Sequence, residues 1–296
     1  MLEIRIGTRG SELALCQATL AREAILKNYP EANVTLKVIK TTGDVKLGPI
    51  PETVVGKSWF TKEIEDELLN ETIDLAVHSL KDMALMPPPE LYIGAMLPRE
   101  DARDVLVTRN KEKLKELKSA ASIGTDSARR GIQICALQPD LKVRSVRGNI
   151  GTRLLKLDSM EYDALVLAAA GLVRLGLIDR VAQFFSFDEI LPSPGQGILA
   201  IELKRSRKEL VEITRNLNHR ETELVGRTER AFSETYGGGC KKPVAAYAEI
   251  VGNSISLRAM VANDAGVITK RTAVSDLYEG QKMAQELAVQ LLDATK

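Results

Sequence analysis

Two stretches far apart in the chain share one local plan, and that plan restricts the fold more than any other feature. IRIGTRGSELAL, at residues 4–15, reads as a strand, a Gly-Thr pair, a short polar turn, a serine and then a helix. ASIGTDSARRGIQICAL, at 121–137, repeats the order. A serine just before an apolar-periodic run is a helix N-cap signal, because its hydroxyl satisfies an otherwise orphaned amide. A second pair follows the same logic: in both IDLAVHSLKD (73–82) and YDALVLAAAGL (162–172) an aspartate opens an apolar strand. Between these, VTLKVIKT reads as a strand and SWFTKEIEDELLN as a helix. Strands alternating with helices predict a mostly parallel sheet covered on both faces.

The repeat therefore predicts two similar α/β lobes, 1–97 and 103–191, with strand ILAIEL (198–203) returning to the first, which then extends over 198–216. Two crossings between lobes make a hinge, and a cleft between lobes is a favoured ligand site. LYIGAML and DVLVTRN read as further strands, and a Lys-rich helix is expected at about 111–119. Near residue 218 the pattern changes. NHRETELVGRTERAFSETY reads as a helix, PVAAYAEI, SISLRAM and VITKRTAV as short strands, and about 276–294 as a final helix. Residues 220–296 thus predict a small α+β third domain, a three-stranded sheet with helices.

Charge and composition narrow the function. The 296 residues carry 41 basic against 40 acidic side chains, so no global field for a polyanion exists and nucleic acid is not expected as a partner. Glu3, Arg5 and Arg9 interrupt the N-terminal segment, which fits neither a signal peptide nor a membrane span, and no later apolar run is long enough to cross a bilayer. A cytoplasmic protein is expected. Three cysteines argue against a disulfide framework in that setting. Cys16 shares a helical face with Leu13, Leu20 and Ala24, and Cys135 sits beside Ile132 and Ala136, so both read as small apolar core residues.

Cys240 has no such periodicity. It stands in YGGGCKKP, where either the glycines shape a turn or they strip steric cover from a thiol that Lys241 and Lys242 favour as thiolate. The basic residues are also unevenly spread. Residues 121–153 hold Arg129, Arg130, Lys142, Arg144, Arg147 and Arg153 against Asp126 and Asp140. Arg129 and Arg130 open a helix, where a cation opposes the macrodipole, which points to an anion nearby. As a set these arginines favour carboxylate or phosphate recognition. The Gly-Lys-Ser at 56–58 lacks the upstream glycine of a phosphate-binding loop, since position 51 is proline, leaving Ser58 as an N-cap and Lys57 as a modest anion contact. HSLKD at 78–82 follows an apolar strand, the end at which ligands sit in open α/β sheets. Its lysine and aspartate fit a surface ion pair and a catalytic carboxylate equally. His78 and His219, the two histidines, have no metal-ligand spacing and read as structural, and no metal site is expected.

The stretches IGTRGSELAL, VGKSWFTKEIEDELL, DLAVHSLKD, IGTDSARR, RSVRGNIGTRL, AAAGLVRLGL, LPSPGQG and GGGCKKP, in this order, resemble the hydroxymethylbilane synthase (porphobilinogen deaminase) family over essentially the whole chain. The resemblance implies two lobes like those of periplasmic binding proteins and a third domain. It implies an enzyme that joins four porphobilinogen molecules head to tail, with loss of ammonia, on a dipyrromethane cofactor held by a thioether to Cys240. It implies Asp82 as the catalytic carboxylate. Carboxylates of cofactor and substrate fall by the same resemblance to Arg9, Ser11, Lys57, Lys81, Thr125, Ser127, Arg129, Arg130, Arg147, Arg153 and Arg174, with Gln196 at ligand or hinge. Three positions depart from the pattern: Asp126 where a serine is expected, Thr53 where a basic loop residue is expected, and Trp59 for a smaller aliphatic one. A monomer is expected. The competing readings are a two-lobed solute-binding protein without chemistry and a transferase acting on another polyanion such as a phosphorylated metabolite.

Overall fold

The computed structural model describes residues 2–42, 61–237, 243–263 and 265–294. Before residue 100 run β1 (Glu3–Thr8), α1 (Glu12–Asn28), β2 (Asn33–Val38), α2 (Lys62–Leu69), β3 (Leu75–Ser79) and β4 (Leu91–Met96). Next come β5 (Asp104–Thr108), β6 (Ser122–Gly124), α3 (Ala128–Leu137), β7 (Lys142–Arg144), α4 (Ile150–Asp158), β8 (Ala164–Ala168), α5 (Ala169–Arg174) and β9 (Val181–Phe184). The remainder is β10 (Leu199–Lys204), α6 (Lys208–Leu217), α7 (Arg220–Tyr236), β11 (Val244–Val251), β12 (Ser254–Ala262), β13 (Ile268–Asp276) and α8 (Gly280–Ala294). The chain divides into two compact units, Met1–Arg99 with Ile198–Gly226, and Glu100–Gly197 with Arg227–Lys296.

In the first unit the sheet order is β2-β1-β3-β10-β4, with β1 parallel to β2 and β3, and β10 antiparallel to β3 and β4. Four strands share one direction and β10 runs against them. Alternate side chains of β3 go to opposite faces. Leu75 and Val77 join Ile4, Ile6, Ala18, Ala21 and Ile25 in one core, while Ala76 joins Ile64, Leu68 and Ile73 in another. A strand buried on both faces reads as a continuous apolar run, which is why DLAV shows no alternation. The face of α1 turned inward carries Gln17, Ala18, Ala21 and Ile25. The face expected from the cysteine is therefore a flank: Cys16 is half-buried and Leu20 is exposed, because the small alanines let α1 lie close to the sheet.

The second unit repeats the first. Its sheet order β7-β6-β8-β5-β9 has the same pattern of directions, two parallel pairings followed by two antiparallel ones. The aspartates that open the repeated strands do the same job in both. Asp74 N donates to Arg5 O at 2.8 Å while Arg5 N donates to Asp74 Oδ2 at 2.8 Å. Asp163 N donates to Ser122 O at 3.0 Å while Ser122 N donates to Asp163 Oδ2 at 2.7 Å. Each side chain thus extends the ladder by one bond where the strands begin. The helix expected at 111–119 is instead a single 3-10 turn, Leu114–Glu116. Lys111 and Ala120 take positive φ at its ends, and the four lysines of this stretch repel one another on any helical surface while Leu114 is its buried anchor. Cys135 is half-buried with Ala136 exposed, since Gln133 and Ile134 take the inward positions of α3.

The second unit also holds the antiparallel meander β11-β12-β13, with α8 turning Met283, Ala284, Leu287, Ala288 and Leu291 inward. The last helix starts at Gly280, later than residue 276, because β13 continues to Asp276. Leu191, Ala245 and Met260 share a core with Phe187 and Tyr247, whose rings stack at 3.8 Å.

Candidate active site

Because β1 and β3 are adjacent and parallel, their C-terminal ends lie side by side, and each is followed by a predicted site segment. After β1 comes Arg9, half-buried, and Ser11, which caps α1 by accepting from Ala14 N at 3.3 Å. After β3 the chain makes one 3-10 turn, Leu80–Asp82. Leu80 and Met83 are buried at either side of it, and Leu80 N donates to Ile198 O at 2.9 Å. With both anchors turned inward, Lys81 is half-buried and the Asp82 carboxylate faces solvent. Among the described residues Asp82 has no hydrogen-bond or ion-pair partner. Gln17 of α1 fixes the preceding residue, donating to Ser79 Oγ at 3.0 Å.

In the second unit β7, β6 and β8 are parallel neighbours, so the segments after them share one sheet edge. Thr125 and Ser127 follow β6, and Ser127 caps α3 by accepting from Arg130 N at 3.4 Å. Arg147 and Arg153 follow β7, where Asn149 caps α4 by accepting from Thr152 N at 2.8 Å. Arg153 Nε donates to Gly148 O at 2.8 Å. Arg174, after β8, donates to Gly197 O at 2.7 Å. The edge gathers three arginines and two capped helix starts, a strongly anion-seeking surface.

Arg129 and Arg130 are placed differently. Both are almost fully buried, at 5% and 7% exposure, and both grip Asp104, which is 0% exposed. Arg129 Nη1 donates to Asp104 Oδ2 at 2.6 Å, and Arg130 donates to Oδ1 from Nη2 at 2.7 Å and from Nε at 3.0 Å. Gln196, wholly buried, donates from Nε2 to Asp104 Oδ1 at 2.9 Å and to Ala102 O at 2.7 Å. Burial pushes the Asp104 carboxyl up, but the two guanidiniums override it and hold the group far below the usual carboxylate range. Burial pulls Arg129 down from its ordinary range, against the attraction of Asp104. Two cations against one anion leave one positive charge over, in a place where water cannot screen it.

The anion that the helix-opening arginines called for is thus first an internal one. Sequence reasoning missed Asp104, although it too is an aspartate opening an apolar strand, DVLVT. Asp126 meets Arg147, Oδ2 to Nε at 3.2 Å, and accepts from Ser145 Oγ, so the departure at this position partly neutralises one arginine of the edge. Cys240, Lys57, Thr53 and Trp59 lie outside the described residues. His78 is buried beside Glu202, in keeping with a structural histidine.

Comparison with known proteins decides the family. A family model described as "Porphobilinogen deaminase, dipyromethane cofactor binding domain" matches residues 4–212, and the model of the porphobilinogen deaminase C-terminal domain matches 224–293. The chain belongs to the porphobilinogen deaminase family. The porphobilinogen deaminase of Syntrophomonas wolfei is 40% identical over 294 residues, which span 99% of this chain and 96% of that protein. The porphobilinogen deaminase of Fusobacterium nucleatum is 40% identical over 290 residues, 97% of each chain. That of Coxiella burnetii is 41% identical over 291 residues, 98% of this chain and 94% of the other. Among solved structures, substrate binding domain 2 of Lactococcus lactis GlnP aligns with 73% of this chain and 88% of its own at 16% identity, with a TM-score of 0.44. The cationic edge after β6, β7 and β8 is a surface able to hold carboxylates.

Proposed function

We infer that this chain is a hydroxymethylbilane synthase, a transferase that deaminates four porphobilinogen molecules and joins them head to tail into a linear tetrapyrrole. The observation that carries this is the match of both porphobilinogen deaminase domain models, together reaching from residue 4 to residue 293. Each coupling forms one carbon–carbon bond and expels one ammonia, and water completes the hydroxymethyl end of the released product.

The residues present fit a dipyrromethane cofactor. Its acetate and propionate groups need cations, which Arg147, Arg153 and Arg174 present at one sheet edge, with Thr125 and Ser127 as hydroxyl donors. When bound, the cofactor supplies the pyrrole carbon to which the first substrate unit is joined, and we assign its thioether to Cys240. Arg129 and Arg130, with Asp104 between them, supply the unscreened excess positive charge. Arg9, Ser11, Lys57 and Lys81 take substrate carboxylates in this reading, and Gln196 sets the position of Asp104 and Arg130.

We assign catalysis to Asp82. Its carboxylate is exposed, stands on a turn pinned at both sides, and has no hydrogen-bond partner among the described residues, so its place is fixed by the backbone alone. There it accepts hydrogen bonds from pyrrole N–H groups, lowers the free energy of positive charge that develops as ammonia departs, and receives the proton lost when the new bond forms. We also propose three domains, 1–97 with 198–216, 103–191 and 220–296, supported by the separate sheet in each. A monomer is our reading of the balanced charge and the lack of an evident coiled coil, and a cytoplasmic place our reading of the charged N-terminal segment; among the described residues no helix is long and apolar enough to cross a membrane.

The test is purified protein with porphobilinogen, following ammonia and hydroxymethylbilane together. Four ammonia per tetrapyrrole are expected. Binding of porphobilinogen without ammonia release would contradict the assignment and favour a solute-binding role.

A further inference from the structure

On the α2 side of the first sheet, on the strand that leads into the Asp82 turn and its neighbours, lies a cluster that the reaction as described does not use. His78 of β3 and Glu202 of β10 are buried, and so is Glu65 of α2. In the β3–β10 pairing His78 faces Ala200 and Glu202 faces Ala76, so both point to the same face as Ala76, toward α2. His78 Nε2 stands 3.2 Å from Glu202 Oε2. Even so, among the described residues, His78 Nε2, both Glu202 carboxylate oxygens, Glu65 Oε1 and Thr61 Oγ1 are buried without an aligned hydrogen-bond partner. Buried polar atoms left in this state cost stability, so their presence calls for a use.

The use follows from position. The end of β3 is tied on one face by Gln17 to Ser79 Oγ, and along the ladder by Leu80 N to Ile198 O. On its other face, among the described residues, the imidazole of His78 stands beside Glu202. We propose that His78, Glu202 and Glu65 are positioning residues for the Asp82 turn, with the imidazole Nε2–H of His78 held toward the Glu202 carboxylate. Burial, reinforced by the neighbouring Glu202, pushes the Glu65 carboxyl up, while the hydroxyl of Thr61 pulls it down by less. Glu65 is the third hydrogen-bonding member of the group, beside the His78–Glu202 contact. Loosening this face lets the turn four residues beyond His78 drift, and a shift near 1 Å in a catalytic group costs up to about 100-fold in rate.

The proposal rests on Asp82 being the catalytic carboxylate, and the experiment separates the two. In the cofactor-loaded enzyme, His78→Gln and Glu202→Gln are expected to lower kcat at least about tenfold. KM for porphobilinogen should stay within about twofold, and the double variant should be no worse than the poorer single one, as for residues acting as a unit. Glu65→Gln, which keeps a hydrogen-bonding group of the same size, should hold parental kcat, and Glu65→Leu should lose it. That contrast also stands as the test if either of the first two variants fails to fold. Parental kcat in His78→Gln and Glu202→Gln, independent losses that multiply, or equal behaviour of Glu65→Gln and Glu65→Leu would overturn the cluster's role. Parental turnover by Asp82→Asn in the same assay would overturn the Asp82 assignment and this proposal together.

Discussion

Replacing Asp104 by asparagine probes the buried charge arrangement while keeping the side chain's shape. In the parent, Oδ2 accepts from Arg129 at 2.6 Å, and Oδ1 accepts from Arg130 and Gln196 at 2.7–3.0 Å, with Asp104 at 0% exposure. Asn keeps one acceptor oxygen, but its amide nitrogen then meets either Arg129 or the pair Arg130 and Gln196, donor against donor. Two guanidiniums are left buried beside each other with no counter-ion. Removing one partner of a buried ion pair costs about 3–5 kcal/mol. For a folding unit of this size each kcal/mol moves the melting point by about 2–4 °C, so a fall of roughly 6–20 °C is expected.

Calorimetry as a function of pH adds a sign. The folded pKa of Asp104 lies below its unfolded value, so its contribution is complete above about pH 4 and is lost as pH falls from there toward the folded value. The Asp104→Asn variant should therefore lose less stability than the parent on acidification below pH 4. A melting point within about 3 °C of the parent at pH 7, or parallel acid profiles, would refute the claim that Asp104 holds the arginine pair.

Asp82→Asn should cut turnover by at least about 100-fold with an unchanged melting point, since the carboxylate is exposed and makes no hydrogen bond or ion pair among the described residues; steady-state kinetics and calorimetry check both halves. Asp126→Ser removes a half-exposed ion pair worth at most about 1 kcal/mol, so stability should hold while KM for porphobilinogen falls as Arg147 turns to the ligand. Gly124→Ala would put a Cβ 2.6 Å from Leu165 Cδ2 and 3.0 Å from Tyr162 Cδ1, and overpacking of about 1–3 kcal/mol should appear in urea titration.

The two-lobe plan was legible because the repeated elements carry their own local instructions: a Gly-Thr pair at the strand end, a serine cap, and an aspartate that bonds the neighbouring strand's backbone. The returning strand was legible for the same reason, as an apolar run too short for a helix. What sequence did not show is which polar residue meets which. Asp104 opens an apolar strand and Glu202 sits inside one, and a charge in a strand covered on both faces was the available signal. Their partners, Arg129 and Arg130 for one and His78 for the other, are 25, 26 and 124 positions away and are brought near only by sheet order. The helix expected near residue 115 is a single turn because Leu114 and Leu117 are the apolar residues of 111–119 and Leu114 alone is buried, too little to hold a longer helix against the sheet.

The most direct test of the central claim is the intact mass of the purified protein beside that of Cys240→Ser. The account predicts an added mass of two linked pyrrole units on the parent and none on the variant. A parent that remains unmodified after incubation with porphobilinogen would contradict it.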